Sequence, residues 1–237
     1  MQIRVFDDLD SLSHGAAEFF VLKAKESIRI SSQFKVALSG GSTPKRLYEL
    51  LSQEPYRDYI DWNAVFVFFG DERFVPETHP ESNEYSARNS LLEKVPIPGD
   101  QIFGMYQPHS TPASAAIAYE QKLKLLAPGG MDLALLGIGD DGHTASLFPG
   151  ISELDEKNNW VVPTLSPNGV SQRLTMTIPY LLKSACTLFL VSGSGKKVAL
   201  ADSTSDDPLA QSPSGMVAHR ATNCYWYVDS AAQYDTG

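Results

Sequence analysis

The stretch Met131–Gly150, MDLALLGIGDDGHTASLFPG, constrains the fold of this chain most. The apolar run Leu133–Leu136 stops at three glycines, two aspartates and a histidine within seven residues. Apolar runs of this length read as strands of a parallel sheet covered on both faces, and the carboxyl ends of such strands are where α/β proteins place their ligands. Gly137, Gly139 and Gly142 admit backbone turns that other residues resist and let a ligand approach the chain closely. Asp140, Asp141 and His143 give the same turn titratable groups.

The pattern recurs along the chain. Residues 12–30 carry apolar side chains at helical spacing (Leu12, Ala16, Phe20, Ala24 and Ile28). A strand over 35–38 runs into the turn SGGSTP and a helix from about 44 to 51. The strand 65–69 runs into Gly70-Asp71-Glu72-Arg73. Helices are predicted over 83–93 and 113–126, a strand with alternating character over 173–178, a strongly apolar strand over 187–191, a helix over 196–201 and a closing strand over 225–228. Strands alternating with helices predict a single-domain, Rossmann-like, three-layer α/β/α fold over residues 1–237, with a mostly parallel sheet. The segments 74–82, 149–172 and 204–215 are expected to be long loops.

Composition narrows the function. The formal charge of −9 argues against general nucleic-acid binding, which needs a basic surface. An anionic small substrate then requires a local cluster of Arg and Lys against a repulsive background. Cys186 and Cys224 each sit beside an apolar run and read as free buried thiols. The start MQIRVFDDLDSL has no signal-peptide layout and no apolar stretch reaches the ~18 residues of a membrane span, so a cytoplasmic protein without a membrane partner is expected.

Four constellations carry chemistry. In Ser39-Gly40-Gly41-Ser42-Thr43-Pro44 a strand turns into a helix whose start offers free N–H groups to an anion such as phosphate, and Ser42 or Thr43 is a candidate cap. Asp71, Glu72 and Arg73 stand just past a strand end, and read either as a solvated turn or as part of a site. His143 is flanked by acids, and a neighbouring carboxylate can orient an imidazole for proton transfer. Arg173 and Lys196 supply a positive cluster if both face the rim that holds the SGGST turn. The other histidines (14, 79, 109 and 219) are scattered and no Cys/His ligand spacing occurs, so no metal is expected. The nucleophile elbow GxSxG is also missing, which disfavours a covalent serine mechanism.

At these residues the chain resembles the 6-phosphogluconolactonases, within a superfamily that includes glucosamine-6-phosphate deaminase. The resemblance runs nearly end to end, through ALSGGSTPKRLYELL (37–51), FFGDERFVPETHPESNEYSARNSLL (68–92), MDLALLGIGDDGHTASLFPG (131–150), RLTMTIPYLL (173–182), FLVSGSGKKVAL (189–200) and CYWYVDSAA (224–232). It implies hydrolysis of 6-phospho-D-glucono-1,5-lactone, a phosphosugar lactone, to 6-phospho-D-gluconate in the pentose phosphate pathway, on a Rossmann-like fold without a nucleotide cofactor, so that no cofactor is expected. It implies that His143 is catalytic, that Asp71 and Arg73 line the site, and that Gly41, Ser42, Thr43, Arg173 and Lys196 hold the phosphate or the sugar. Asp141 or Asp71 then orients the imidazole. The deaminases resemble the chain in the same Asp-Gly-His core but typically follow their histidine with a stretch such as IAFNEP, whose glutamate serves ring opening. Here Thr144–Pro149 reads TASLFP and contains no carboxylate. A non-catalytic sugar-phosphate sensor is the reading that does without His143. Either a monomer or a homodimer is compatible with the sequence.

Overall fold

The computed structural model describes residues 1–167, 171–206 and 212–234. Its centre is a six-stranded sheet in which every neighbouring pair is parallel. In chain order the strands are β1 (Gln2–Phe6), β2 (Phe34–Leu38), β3 (Val65–Phe69), β4 (Asp71–Arg73), β5 (Leu133–Leu136), β6 (Val161–Leu165), β7 (Gln172–Met176), β8 (Thr187–Val191) and β9 (Cys224–Asp229). The large sheet runs β1-β9-β8-β5-β2-β3, and β4, β7 and β6 form a second, antiparallel sheet. Helices cover the large sheet in a three-layer α/β/α arrangement, as the alternation of strands and helices predicted.

The helices form where periodicity and end signals agree. Helix α1 (Leu9–Ser31) is started by a capping box between Asp8 and Ser11 and ends at Ser32 in the left-handed region, φ 60°. Its buried face carries Leu12, Ala16, Phe20 and Ala24 against the sheet core. Helix α4 (Pro112–Leu126) begins with a Thr111–Ser114 capping box and a proline in the first turn. The others are α2 (Ser42–Leu51), α3 (Asn83–Ala87), α5 (Ile178–Leu181), α6 (Lys197–Thr204) and α7 (Pro213–Ala218). The predicted helix over 83–93 is α3 followed by one wider π turn, Arg88–Leu92.

Three expectations change. The first strand, β1, was not predicted; it pairs in parallel with β9 at the sheet edge, with Ile3 and Val5 half exposed. The segment 149–172 is not a bare loop, because it holds a 3₁₀ turn (Ser152–Asp155) and β6, which tolerates Pro163 as an edge strand does. Asp71–Arg73 is a strand rather than a turn. The chain crosses from one sheet to the other at Gly70, whose N–H donates to the Leu38 carbonyl of β2 while its own carbonyl accepts from Met176 of β7. The two sheets are thereby joined by backbone hydrogen bonds at the point where their carboxyl-end loops converge. The segment 204–215 lies partly outside the described residues.

Candidate active site

The strand order reverses between β2 and β5: β2 leads outward to β3, and β5 leads the other way to β8 and β9. Open α/β sheets bind ligands outside the carboxyl ends of their strands at such a point. A cleft of about 190 Å³ opens there, walled by Ser39–Gly41 after β2, Gly137–Gly139, His143 and Ala145 after β5, Lys196 after β8, and Asp71, Arg73, Asn83 and Arg173 from the second sheet and α3.

The His143 turn is built to hold one imidazole in place. Gly139 N–H donates to the His143 carbonyl and Gly142 N–H to the Gly139 carbonyl, and Thr144 Oγ1 ties the turn to the Gly137 carbonyl at 2.9 Å. From outside, the buried Ser214 donates both its N–H and its hydroxyl to the Gly142 carbonyl. His143 Nδ1 lies 2.6 Å from Asp141 Oδ1, and the His143 N–H donates to the same oxygen. Partial burial opposes ionisation of Asp141, but these two hydrogen bonds and the imidazole's charge outweigh it and hold the carboxyl below its ordinary value. An ionised Asp141 can only accept, so Nδ1 is the donor in this pair, and in the neutral ring Nε2 is then the nitrogen that can accept a proton. Among the described residues Nε2 has no hydrogen-bond partner. Gly139 is required by this packing: a Cβ there would stand 2.0 Å from His143 Nδ1 and 2.6 Å from Asp141 Oδ1.

Of the two carboxylates that the sequence offered as partners of His143, the structure puts only Asp141 on the ring. Asp71 is buried and turned elsewhere, accepting from Ser146 Oγ at 2.6 Å and from Asn83 Nδ2 at 3.2 Å. It lines the cleft without touching the imidazole by a hydrogen bond.

The opposite wall is cationic. Arg73 and Arg173 face each other directly across β4 and β7. Arg73 donates from Nη1 to the Glu81 carbonyl and to Asn83 Oδ1. The Arg173 side chain makes no hydrogen bond or ion pair among the described residues, and its guanidinium lies 5.6 Å from the centre of the Phe148 ring. Burial, then the charge of Arg73, lower the Arg173 pKa, while Asp71, Glu81 and Glu72 work against them. Guanidinium stays charged at any ordinary pH, so the shift measures an uncompensated cation. Three buried side-chain atoms lack a partner in this one cleft: Ser39 Oγ, Arg73 Nε and Arg173 Nε. Unpaired donors are costly when buried, and their convergence beside two guanidiniums marks a place for an anion.

The remaining expected anion ligands are placed as follows. Gly41 lines the cleft and is itself the N-cap of α2, at φ +106°, a conformation that favours glycine. Ser42 and Thr43 are the first two residues of α2; neither supplies a cap, because no side chain bonds to the helix start, and neither is among the residues lining the cleft. What the start of α2 offers toward an anion is therefore its open N–H groups rather than these hydroxyls. Lys196 does reach the cleft, but its Nζ is 2.6 Å from Asp140 Oδ1, so its charge is already partly satisfied. Its turn is fixed from behind by the buried Asp229, which accepts from Ser192 Oγ and Gly193 N.

Sequence reasoning missed two residues. Asn83 lines the cleft and connects Asp71 to Arg73. Phe148 packs its ring 4.7 Å from that of His143 and lies under Arg173. Asn83 stands in the HPESNEY segment and Phe148 in TASLFP, both within stretches already singled out, but their side chains carry no chemistry that draws attention alone.

A parallel α/β sheet with a histidine–carboxylate pair and two facing arginines at its switch point defines a class: Rossmann-like α/β proteins with a cationic cleft at the carboxyl ends of their strands. The chain belongs to the glucosamine-6-phosphate isomerases/6-phosphogluconolactonase family, which it matches over residues 7–226. It is 36% identical over 238 residues to a 6-phosphogluconolactonase from a Nostoc species, covering 97% of this chain and 96% of that one. The solved structure of 6-phosphogluconolactonase from Trypanosoma brucei superposes with a TM-score of 0.86 at 26% identity, covering 98% and 97% of the two chains. A monomeric glucosamine-6-phosphate deaminase shares the fold, with a TM-score of 0.84 at 22% identity and 98% coverage of each chain.

Proposed function

We propose that this protein hydrolyses 6-phospho-D-glucono-1,5-lactone to 6-phospho-D-gluconate. The observation that carries the reading is the pairing of an Asp141-oriented His143 with an unpaired arginine wall in one cleft, beside a TASLFP segment that has no carboxylate to open an amino sugar. The Nostoc and trypanosomal relatives named above support the lactonase branch.

The residues suit the chemistry. The phosphate sits between Arg173, Lys196 and the α2 N-terminus at Gly41, and Ser42 and Thr43 contribute through their backbone N–H groups. Holding that remote group places the lactone carbonyl over His143. His143 Nε2 takes a proton from water as the water oxygen bonds to C1, and the carbonyl electrons move onto oxygen. The amides of Gly139 and Gly142 are occupied within their own turn, which leaves the Arg73 guanidinium on the cleft wall to face that oxyanion. The bond from C1 to the ring oxygen then breaks, the imidazolium returns its proton to that oxygen, and the new carboxylic acid ionises. Asp71 holds Ser146 and Asn83 and so shapes the floor of the cleft.

His143→Ala tests this directly. Turnover falls by about 10²–10⁴-fold, the usual worth of a general base, while the affinity for 6-phosphogluconate stays within about threefold. A variant with normal turnover removes His143 from the reaction.

A further inference from the structure

We propose that Glu72 is a positioning residue: its ionised carboxylate latches strand β4 to the start of α3 and thereby holds Arg73 and Asn83 in the geometry that binds the substrate anion. This rests on the lactonase reading only for the identity of the anion.

Glu72 points away from the cleft and is 1% exposed. Its Oε1 accepts from the backbone N–H of Arg73 at 2.8 Å and of Asn83 at 2.7 Å. Its Oε2 accepts from Ser82 Oγ and from the Glu84 N–H, each at 2.9 Å. Two of these four donors are the main-chain amides of residues that line the cleft. The latch reaches the ligand side through side chains as well: Arg73 Nη1 donates to Asn83 Oδ1 and to the Glu81 carbonyl, so the guanidinium takes its position from the chain path over 81–83 that Glu72 fixes. An oxygen is needed at both positions, because every one of the four partners is a donor. A glutamine presents one amide nitrogen to two of them and cannot accept.

No cation lies within ion-pair distance of Glu72 among the described residues. The charged or titratable groups around it are Asp71 and Arg73 on its own strand, Arg173 on β7, Glu84 and its ion-pair partner Arg88 from α3 onward, and Tyr119 on α4. Burial, assisted by Asp71, outweighs the hydrogen bonds from Glu84, Asn83 and Ser82 and pushes Glu72 up to about 7. The latch is therefore closed above neutrality and opens on mild acidification. Protonation converts one oxygen into a donor aimed at donors.

The test is 6-phosphogluconate affinity of the full chain and its Glu72→Gln variant at pH 8.5 and pH 5.5, with amide exchange at Arg73, Asn83 and Glu84 measured at the higher pH. Titration of the ligand phosphate is common to both proteins and cancels in their ratio. The variant binds about tenfold more weakly at pH 8.5, the effect of about one lost charge-assisted hydrogen bond, and the ratio closes to under about twofold at pH 5.5. The three amides exchange faster in the variant. A ratio that is the same at both pH values, or unchanged exchange, overturns the latch. A wild-type protein that does not bind 6-phosphogluconate removes the lactonase reading, and the exchange comparison still decides on the latch. If Glu72→Gln does not fold, Ser82→Ala removes one of the four donors and carries the same comparison with a smaller ratio.

Discussion

Gly139→Ala isolates the geometry of the His143–Asp141 pair from its chemistry. The substitution changes no ionisable group, and Gly139 does not occupy the left-handed region, so its backbone accepts alanine. The added methyl group would stand 2.0 Å from His143 Nδ1 and 2.6 Å from Asp141 Oδ1. Relief to ordinary contact at 3.4 Å requires the ring to retreat by about 1.4 Å, and misplacing a reacting group by about 1 Å costs on the order of 10²-fold. The expected outcome is a kcat reduced by about 10²-fold, with 6-phosphogluconate affinity within about threefold of wild type because the arginine wall is untouched. Folding stability changes by about 1 kcal/mol or less, since the imidazole and the carboxylate are both partly exposed and free to move outward. Gly129→Ala is the internal control: it lies before β5, is not among the residues lining the cleft, and a Cβ there meets no atom within 4 Å, so kcat is retained. Initial rates of acid release from the lactone at fixed pH, with spontaneous hydrolysis subtracted, give both values. A Gly139→Ala protein with wild-type kcat, or equal losses in the two variants, refutes the reasoning that the position of this ring controls the reaction.

Two further outcomes follow from the wall opposite. Arg173→Ala raises KM and weakens 6-phosphogluconate binding by about tenfold or more, with a smaller effect on kcat, as expected for a charge-assisted anion contact; unchanged KM and unchanged affinity place the phosphate elsewhere. Glu72 also sets a pH dependence of stability. Its folded value of about 7 lies above the 4.5 of an unperturbed glutamate, so between these limits the folded state binds the extra proton and stability falls as pH rises. The fall amounts to about 3 kcal/mol across the window at ~1.4 kcal/mol per unit. Urea unfolding at pH 5 and pH 8 measures it, and Glu72→Gln flattens it; an equal slope in both proteins shows that other groups are responsible.

Much of this architecture was legible in the residues. Apolar runs such as Leu133–Leu136 and Thr187–Val191 have no place but a doubly covered parallel sheet, and each leads into a polar, glycine-bearing turn that lines the cleft or adjoins it. What escaped were elements whose local pattern does not announce them. Strand β1, QIRVF, is a short edge strand exposed along most of its length, and it lacks the continuous apolar run that marks the central strands. Strand β6 contains a proline, which argues against a central strand and is admissible only at an edge. Asp71-Glu72-Arg73 reads as a solvated turn by composition, yet it is a strand in which Glu72 is buried through four hydrogen bonds supplied from residues 73 to 84. The choice between Asp141 and Asp71 as partner of His143 also needed coordinates. Both are near in the fold, and what separates them is that Ser146 and Asn83 already engage Asp71.

The central claim is that this cleft hydrolyses a phosphosugar lactone rather than opening and deaminating an amino sugar phosphate. The direct measurement supplies 6-phosphogluconolactone and glucosamine-6-phosphate separately to the purified protein and follows acid release from the first and ammonia release from the second, against the spontaneous rate of each. Acid release well above background, lost in His143→Ala, with no ammonia formed, is the result expected. Ammonia release from glucosamine-6-phosphate, or lactone hydrolysis no faster than the spontaneous reaction, contradicts the account.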